Sequence, residues 1–137
     1  MPLRRLRSVD ERPYRRLFGD GVRLVMVSTA VFPALDHLRA AAISRAVVTD
    51  ELRGRLGFDG VAMTDALGTP ATAPWGRASE VGVRAAEAGV DLMLFTSYEA
   101  GKRGAAALTR AIARGRIDRE AAVESLERIL DVRHHLR

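Results

Sequence analysis

Cysteine is absent from this 137-residue chain, and lysine occurs once, at position 102. Without cysteine, the chain can hold neither a disulfide framework nor a thiolate metal site. Long hydrophobic runs are missing as well: the apolar stretch Leu24–Val27 covers four residues, too few for a membrane span or for the core of a signal peptide. As written, the chain is therefore expected to be cytoplasmic, although a longer parent protein could be exported.

Apolar residues are plentiful enough for one folded domain. They make up 47% of the chain, which excludes disorder by composition, and the length allows a single domain, residues 1–137. The net charge of +5 comes almost entirely from arginine. Because the arginines alternate with aspartate and glutamate, the pattern is typical of a solvated surface.

An arginine-rich binding module is a second interpretation of this charge. The densest cluster runs from Arg4 to Arg16, where it could face nucleic acid or another anionic surface. It lacks the interleaved aromatic side chains of a single-strand-binding surface. No helix-turn-helix spacing or phosphate-binding glycine loop accompanies it. We therefore expect neither a nucleic-acid partner nor a membrane partner.

Three short apolar runs have the composition of strands that are covered on both faces. They lie at residues 21–28, 60–65 and 89–96. Helical patterns fill the gaps, so the order predicts an α/β fold with a parallel sheet and right-handed crossovers. Three parallel strands leave both edges of the sheet unpaired. We therefore expect the chain to be part of a larger structure, or to self-associate through these edges.

Polar residues and glycines mark the ends of the predicted helices. Asp10, Ser44 and Asp118 are the predicted N-caps, because their side-chain oxygens can accept hydrogen bonds from first-turn amides. Gly89 and Gly115 are the predicted stops of two later helices.

Asp65 is the main candidate functional residue. In parallel α/β folds, ligands bind at the carboxyl ends of the strands. The polar pairs that leave these ends are Ser28-Thr29, Thr64-Asp65 and Thr96-Ser97. Only Asp65 among them is ionisable, and a carboxylate after a buried strand needs a wet cleft or a partner. The alternative is that Asp65 caps the turn that follows it, and its position does not decide between the two.

The sequence around Asp65 resembles a signature of glycoside hydrolase family 3. Residues 56–68 read LGFDGVAMTDALG, in which a helix ending in Leu-Gly-Phe-x-Gly leads into a strand that ends in Thr-Asp. The resemblance continues through residues 12–36, 83–95 and 114–130, almost the whole chain. It is closer to the β-N-acetylhexosaminidase-like branch than to the β-glucosidase branch, where Ser-Asp-Trp is more usual.

This resemblance implies the C-terminal half of a (β/α)8 TIM barrel, with about three of its eight strands. It also implies a retaining glycosidase that hydrolyses a β-linked sugar or amino sugar, with no cofactor and no metal. Asp65 would be the nucleophile that attacks the anomeric carbon and forms a glycosyl-enzyme. Thr64 and the backbone after Asp65 would help to orient its carboxylate.

Other parts of the family's chemistry have no counterpart in this sequence. The acid/base histidine and the sugar-binding residues lie upstream in relatives, so substrate-binding residues are unknown here. His37 is expected on a solvent-exposed loop, and His134 and His135 at the tail of the last helix. Thr29 stands where many relatives carry histidine, and Ala66 where many carry a second aspartate. We therefore expect little or no activity from the isolated chain.

Two further interpretations stay open. A receiver-like signalling domain would use Asp65 as its phosphoacceptor, but it needs an acidic pair after its first strand and a lysine after its last. Ser28-Thr29 and Thr96-Ser97 occupy those places, and Lys102 comes too late. A catalytically inactive remnant of a glycosidase would keep the ancestry without the activity.

Overall fold

The structure is a computed structural model that describes residues 2–136. Its helices and strands, in chain order, are α1 (Leu3–Arg5), a π-helical turn (Leu6–Asp10), α2 (Arg12–Gly19), β1 (Leu24–Val27), β2 (Val31–Phe32), β3 (Asp36–Ala40), a 3-10 turn (Ala41–Ile43), the long π-helix (Ala46–Arg55), β4 (Val61–Thr64), a second 3-10 turn (Ala73–Trp75), α3 (Ala78–Glu87), α4 (Tyr98–Ala113) and α5 (Arg119–His135). None of the helices in this range has the length and apolar composition that a membrane-spanning helix needs.

Strand β4 is the centre of the parallel sheet. On one side it pairs in parallel with β1, where Met26 lies opposite Met63. On the other side Met63 bridges Leu92, and Leu67 bridges Phe95, again in parallel. The third strand, residues 92–95, is thus held by isolated bridges and is less regular than the other two. The predicted parallel α/β arrangement of about three strands is confirmed.

The two faces of the sheet differ in exposure. Side chains that point toward the helices, such as Val27 and Ala62, are buried together with residues of the long π-helix and α3. On the opposite face, apolar side chains remain exposed in both outer strands: Leu24, Met26, Leu92 and Leu94 are each 40% to 51% exposed. The helices therefore cover one face of the sheet, and the other face is left partly exposed along both outer strands.

Several helix ends follow the predictions, and two do not. Asp118 caps α5 by accepting hydrogen bonds from two first-turn amides at 2.9 and 3.0 Å. Gly89 and Gly115, which follow α3 and α4, have φ angles of 98° and 71°, where glycine meets no steric penalty. The predicted caps Asp10 and Ser44 are wrong, since Asp10 lies inside the π-helical turn and the Ser44 hydroxyl bonds the Asp36 carboxylate at 2.8 Å.

A hairpin that the sequence analysis missed follows β1. Strands β2 and β3 pair antiparallel, with Val31 opposite Ala40 and Phe32 opposite Asp36. The amides of Ala41 and Ala42 donate to backbone carbonyls of the segment just after β1, at 2.8 and 3.1 Å. These bonds hold the hairpin beside the carboxyl end of β1.

A buried carboxylate joins the elements at the amino end of the sheet. The Asp91 side chain is 1% exposed and forms ion pairs with Arg53 of the long π-helix at 2.6 Å and with Arg128 of α5 at 2.9 Å. Its Oδ2 also accepts a hydrogen bond from the amide of Ala62 in β4, at 2.8 Å. A buried charge is tolerated when it is paired and fully hydrogen-bonded, as this one is.

Helices α3 and α4 pack closely around one aromatic ring. A Cβ atom at Gly104 of α4 would overlap the ring of Phe95, and one at Gly82 of α3 would lie 3.1 Å from the same ring. Both glycines are buried, so the two helices can approach the ring only because these positions lack side chains. The α3–α4 pair is therefore tightly fixed.

We expect Asp91→Asn to lower the free energy of unfolding by roughly 3 kcal/mol, because it leaves two arginines without their counter-charge. The figure is at the low end for a buried pair, since Arg53 and Arg128 keep 18% and 24% of their side chains exposed. Urea unfolding monitored by circular dichroism measures the change. The matched control is Asp131→Asn, which removes an exposed pair with Arg23 and should cost less than about 1 kcal/mol. Equal losses in the two variants would contradict the assigned role of Asp91.

Gly104→Ala is expected to destabilise the chain by about 1–3 kcal/mol, because the added methyl group displaces the Phe95 ring from a filled space. Gly101→Ala lies one turn earlier on the same helix, where an added Cβ meets nothing within 4 Å. This control should stabilise the chain by up to about 1 kcal/mol, since alanine favours the helix more than glycine does. Thermal unfolding of both variants tests the difference, and similar melting temperatures would refute it.

Candidate active site

Asp65 lies at the carboxyl end of the central strand. It follows Thr64, the last residue of β4, and its amide donates to the carbonyl of Val27 at the end of β1. That bond, 3.1 Å long, continues the parallel ladder by one residue. The carboxylate is thus flanked by β1 on one side and by the third strand on the other, at the edge where parallel sheets bind ligands.

The Asp65 carboxylate is exposed and only partly engaged. Its Oδ1 accepts a hydrogen bond of 2.6 Å from the amide of Ala66. Among residues 2–136 no other group donates to this side chain. In the turn that follows, the hydroxyl of Thr72 accepts a hydrogen bond of 3.2 Å from the amide of Gly68. The bond from the Ala66 amide is one that a cap of the following turn would also make, so both interpretations of Asp65 stay open. Its Oδ2 accepts no hydrogen bond from the described residues.

Thr64 joins the carboxyl end of β4 to the third strand. Its side chain is fully buried, and its hydroxyl accepts a hydrogen bond of 3.0 Å from the amide of Leu94. Its own amide donates to the carbonyl of Leu92 at 2.9 Å. The hydroxyl therefore takes the place of a backbone acceptor where the ladder is irregular. Ala66, and not Thr64, contacts the carboxylate.

The other polar residues at the strand ends serve local structure. The Ser28 hydroxyl accepts from the amide of Ala30 at 2.9 Å, and Ser97 caps α4 by accepting from the amide of Ala100 at 3.2 Å. Lys102 pairs with Glu99 on α4 at 2.8 Å. None of these contacts involves Asp65.

The three histidines are exposed, and within residues 2–136 none of them forms a hydrogen bond or an ion pair with Asp65. His37 is in β3, not in an irregular loop, and its side chain is exposed. His134 and His135 end α5, where His135 Nδ1 lies 2.9 Å from the carbonyl oxygen of Asp131. Across the described part of the chain, no group of three or more histidine, aspartate or glutamate side chains is arranged to hold a metal ion.

Asp36 organises the loops next to Asp65, a role that the sequence analysis missed. Burial raises the pKa of the Asp36 carboxyl, but hydrogen bonds from the Leu38 amide, the Ser44 hydroxyl and Arg39 outweigh it and hold that pKa below its usual value. These bonds fix the β2–β3 hairpin from within. Trp75, in the loop after β4, adds a hydrogen bond of 3.4 Å from its indole nitrogen to the carbonyl of Leu38. The loops that follow β1 and β4 are thereby joined.

This geometry provides one carboxylate with an open oxygen in a wet, fixed position. Such a group can act as a nucleophile, as a base or as an electrostatic stabiliser of a cation. The described residues give it no hydrogen-bonded acid or histidine partner.

The chain matches one family description over nearly all of its length. Residues 1–132 match the family described as "Glycosyl hydrolase family 3 N terminal domain". An "Uncharacterized secreted glycosyl hydrolase" of Arthroderma benhamiae is 39% identical over 131 residues, which are 94% of this chain and 37% of that protein. A "Beta-hexosaminidase" of Chromobacterium violaceum is 37% identical over 92 residues, 67% of this chain and 26% of that protein. The chain thus spans well under half of these relatives.

Solved structures show the same fold. A glycoside hydrolase family 3 β-N-acetylglucosaminidase from Paenibacillus sp. str. FPU-7 superposes with a TM-score of 0.92 at 34% identity, covering 98% of this chain and 26% of that one. The structure described as "M tuberculosis LpqI" superposes with a TM-score of 0.85 at 30% identity, covering 94% of this chain and 39% of that one. The predicted fold class, a partial (β/α)8 barrel, is confirmed.

Thr64→Val is expected to destabilise the chain by about 1–3 kcal/mol, because it leaves the amide of Leu94 without an acceptor at nearly unchanged volume. The same change should speed hydrogen exchange at that amide. Thr64→Ser, which keeps the hydroxyl, should retain most of the protection. Exchange rates measured by NMR distinguish the two variants, and a Leu94 amide that stays equally protected in Thr64→Val would contradict this assignment.

Proposed function

Because this chain belongs to the glycosyl hydrolase family 3 N-terminal domain family, we propose that it provides the nucleophile, Asp65, of a retaining glycoside hydrolase of the β-N-acetylhexosaminidase-like type. The observation that carries this proposal is the open carboxylate at the carboxyl end of the central strand, inside the segment that resembles the family signature. The substrate would be a β-linked sugar or amino sugar. Residues 1–137 would form a single partial-barrel domain of the catalytic unit.

The contacts of Asp65 suit a nucleophile. Ala66 holds Oδ1 through its amide, so the carboxylate is fixed in rotation while Oδ2 faces solvent. In the proposed reaction Oδ2 attacks the anomeric carbon as the bond from that carbon to the leaving oxygen breaks. A separate acid protonates that oxygen, and the sugar is left as an ester of Asp65. Water, deprotonated by the same group, then attacks the anomeric carbon and frees the carboxylate, so the product keeps the original configuration.

The acid/base would come from outside this chain. The family resemblance implies a histidine on an upstream loop, and none of the histidines present contacts Asp65. The exposed apolar face of the sheet supports the same requirement, because Leu24, Met26, Leu92 and Leu94 would point into a barrel that five more strands complete. For this reason we expect the isolated chain to show little or no activity.

A chimera tests the role of Asp65 in an active context. In the Paenibacillus β-N-acetylglucosaminidase, the region that superposes on 98% of this chain is replaced by this chain. We expect hydrolysis of an aryl β-N-acetylglucosaminide with retention at the anomeric carbon, followed by NMR. Asp65→Ala in the chimera should lower kcat by on the order of a thousandfold or more, because the covalent step loses its nucleophile.

The control is Asp59→Ala, which removes an exposed aspartate before the amino end of the same strand and should leave kcat unchanged. Sodium azide provides a second readout. In the Asp65→Ala chimera, azide can attack the anomeric carbon in place of the carboxylate and give a glycosyl azide of inverted configuration. Equal losses in the two variants, or an Asp65→Ala chimera that keeps its activity, would exclude Asp65 as the nucleophile.

A further inference from the structure

Three arginines line a groove between α3 and α4, away from the strand ends. They are Arg77, directly before α3, and Arg103 and Arg110 of α4, and they border a cavity of about 560 Å³. Small side chains and one hydroxyl, that of Ser79, complete its lining. Among residues 2–136, no acidic residue contributes to the lining. The groove therefore concentrates positive charge without a local counter-charge.

The acidic residues of these two helices are engaged elsewhere. Glu80 of α3 forms an ion pair with Arg84 at 3.6 Å and accepts a hydrogen bond from Arg116 at 3.2 Å. Glu87 accepts a hydrogen bond from Arg116 at 2.8 Å. The one acid of α4 is paired with Lys102. Within residues 2–136, none of the three groove arginines has an acidic partner within 4 Å. Their mutual repulsion would be relieved by a bound anion.

The three arginines border the same cavity from two elements of the fold. Arg103 and Arg110 are seven residues apart on one face of α4, which separates their Cα atoms by about 10 Å along the helix axis. Arg77 faces them from the start of α3, and its side chain does not cap that helix. The first-turn amides of a helix lack intrahelical partners and attract anions, and the first-turn acid of α3, Glu80, is already paired with Arg84 and Arg116.

The scaffold of the groove is rigid. Gly82 and Gly104 bring α3 and α4 against the same Phe95 ring, so the distance between the two helices is fixed by close packing. Alanines at positions 78, 100 and 106 keep the floor open between the arginine side chains. A preformed groove loses less ordering entropy on binding than a mobile surface does.

We propose that this groove is a binding site for a phosphate group, either free or carried by a small phosphomonoester. Guanidinium groups match phosphate oxygens through paired hydrogen bonds, and three of them suit a dianion better than a single carboxylate. The cavity has the size of a small-molecule site. Its arginines surround one space instead of following a track, and no aromatic side chain lines it, which disfavours a nucleic-acid strand.

Isothermal titration calorimetry of the full 137-residue chain tests the site, with inorganic phosphate and glucose 6-phosphate as the probes. We expect saturable 1:1 binding that weakens as sodium chloride is raised. The double variant Arg103→Gln/Arg110→Gln should weaken binding by about tenfold or more, because each lost guanidinium removes charge-assisted hydrogen bonds. Tighter binding of glucose 6-phosphate than of inorganic phosphate identifies a phosphomonoester site, and equal or weaker binding identifies a free-phosphate site.

The matched control is Arg12→Gln/Arg15→Gln, two exposed arginines of α2 that do not line the groove. It removes the same net charge and should change the affinity less than about twofold, because distant exposed charges are screened by salt. Circular dichroism of both double variants shows whether the fold is kept. No saturable binding to the unaltered chain, or an equal loss of affinity in the two double variants, overturns the proposal.

Discussion

The ion pairs of Asp91 with Arg53 and Arg128 are the contact on which the arrangement of this chain most depends. Three elements that are far apart in the sequence, the long π-helix, β4 and α5, meet at that one buried carboxylate. Arg53 also donates hydrogen bonds to the carbonyls of Gly60 and Gly89. These residues lie just before β4 and just before the third strand, so one guanidinium connects the starts of both strands. A buried charge has this organising effect because every unmet hydrogen bond around it is costly.

The two ends of β4 are held by different side-chain contacts. Its amino end is tied by the Asp91 carboxylate to the Ala62 amide, and its carboxyl end by the Thr64 hydroxyl to the third strand. Between these two anchors the strand has little freedom, yet Asp65 directly after it is exposed and makes one side-chain hydrogen bond. A fixed backbone with a free carboxylate oxygen is the combination that a positioned nucleophile requires, since preorganisation of the reactive group lowers the barrier to attack.

The sequence predicted the parts of the fold that have a local signal. The three parallel strands appeared as apolar runs, and the cap of α5 at Asp118 as an aspartate before a helical pattern. It missed the β2–β3 hairpin because that hairpin is held by the Asp36 carboxylate and not by strand composition. The Ser44 cap was wrong for the same reason: its hydroxyl has a partner in Asp36 that the local sequence does not reveal. Asp65 stands out as a candidate because residue type, strand end and family signature coincide at one position, and its catalytic role stays a prediction.

The sequence by itself determined the family, the order of the three parallel strands and the main helices, and the position of Asp65 at the end of the central strand. These follow from composition and from patterns a few residues long, which are properties of the chain before it folds. Only the tertiary structure decided which charged side chains pair and which remain free. Arg128 reaches Asp91 across 37 positions, whereas Arg103 and Arg110, equally charged, face a groove without an acid. Such a difference depends on distances between residues that are remote in the sequence, so it exists only once the helices have packed.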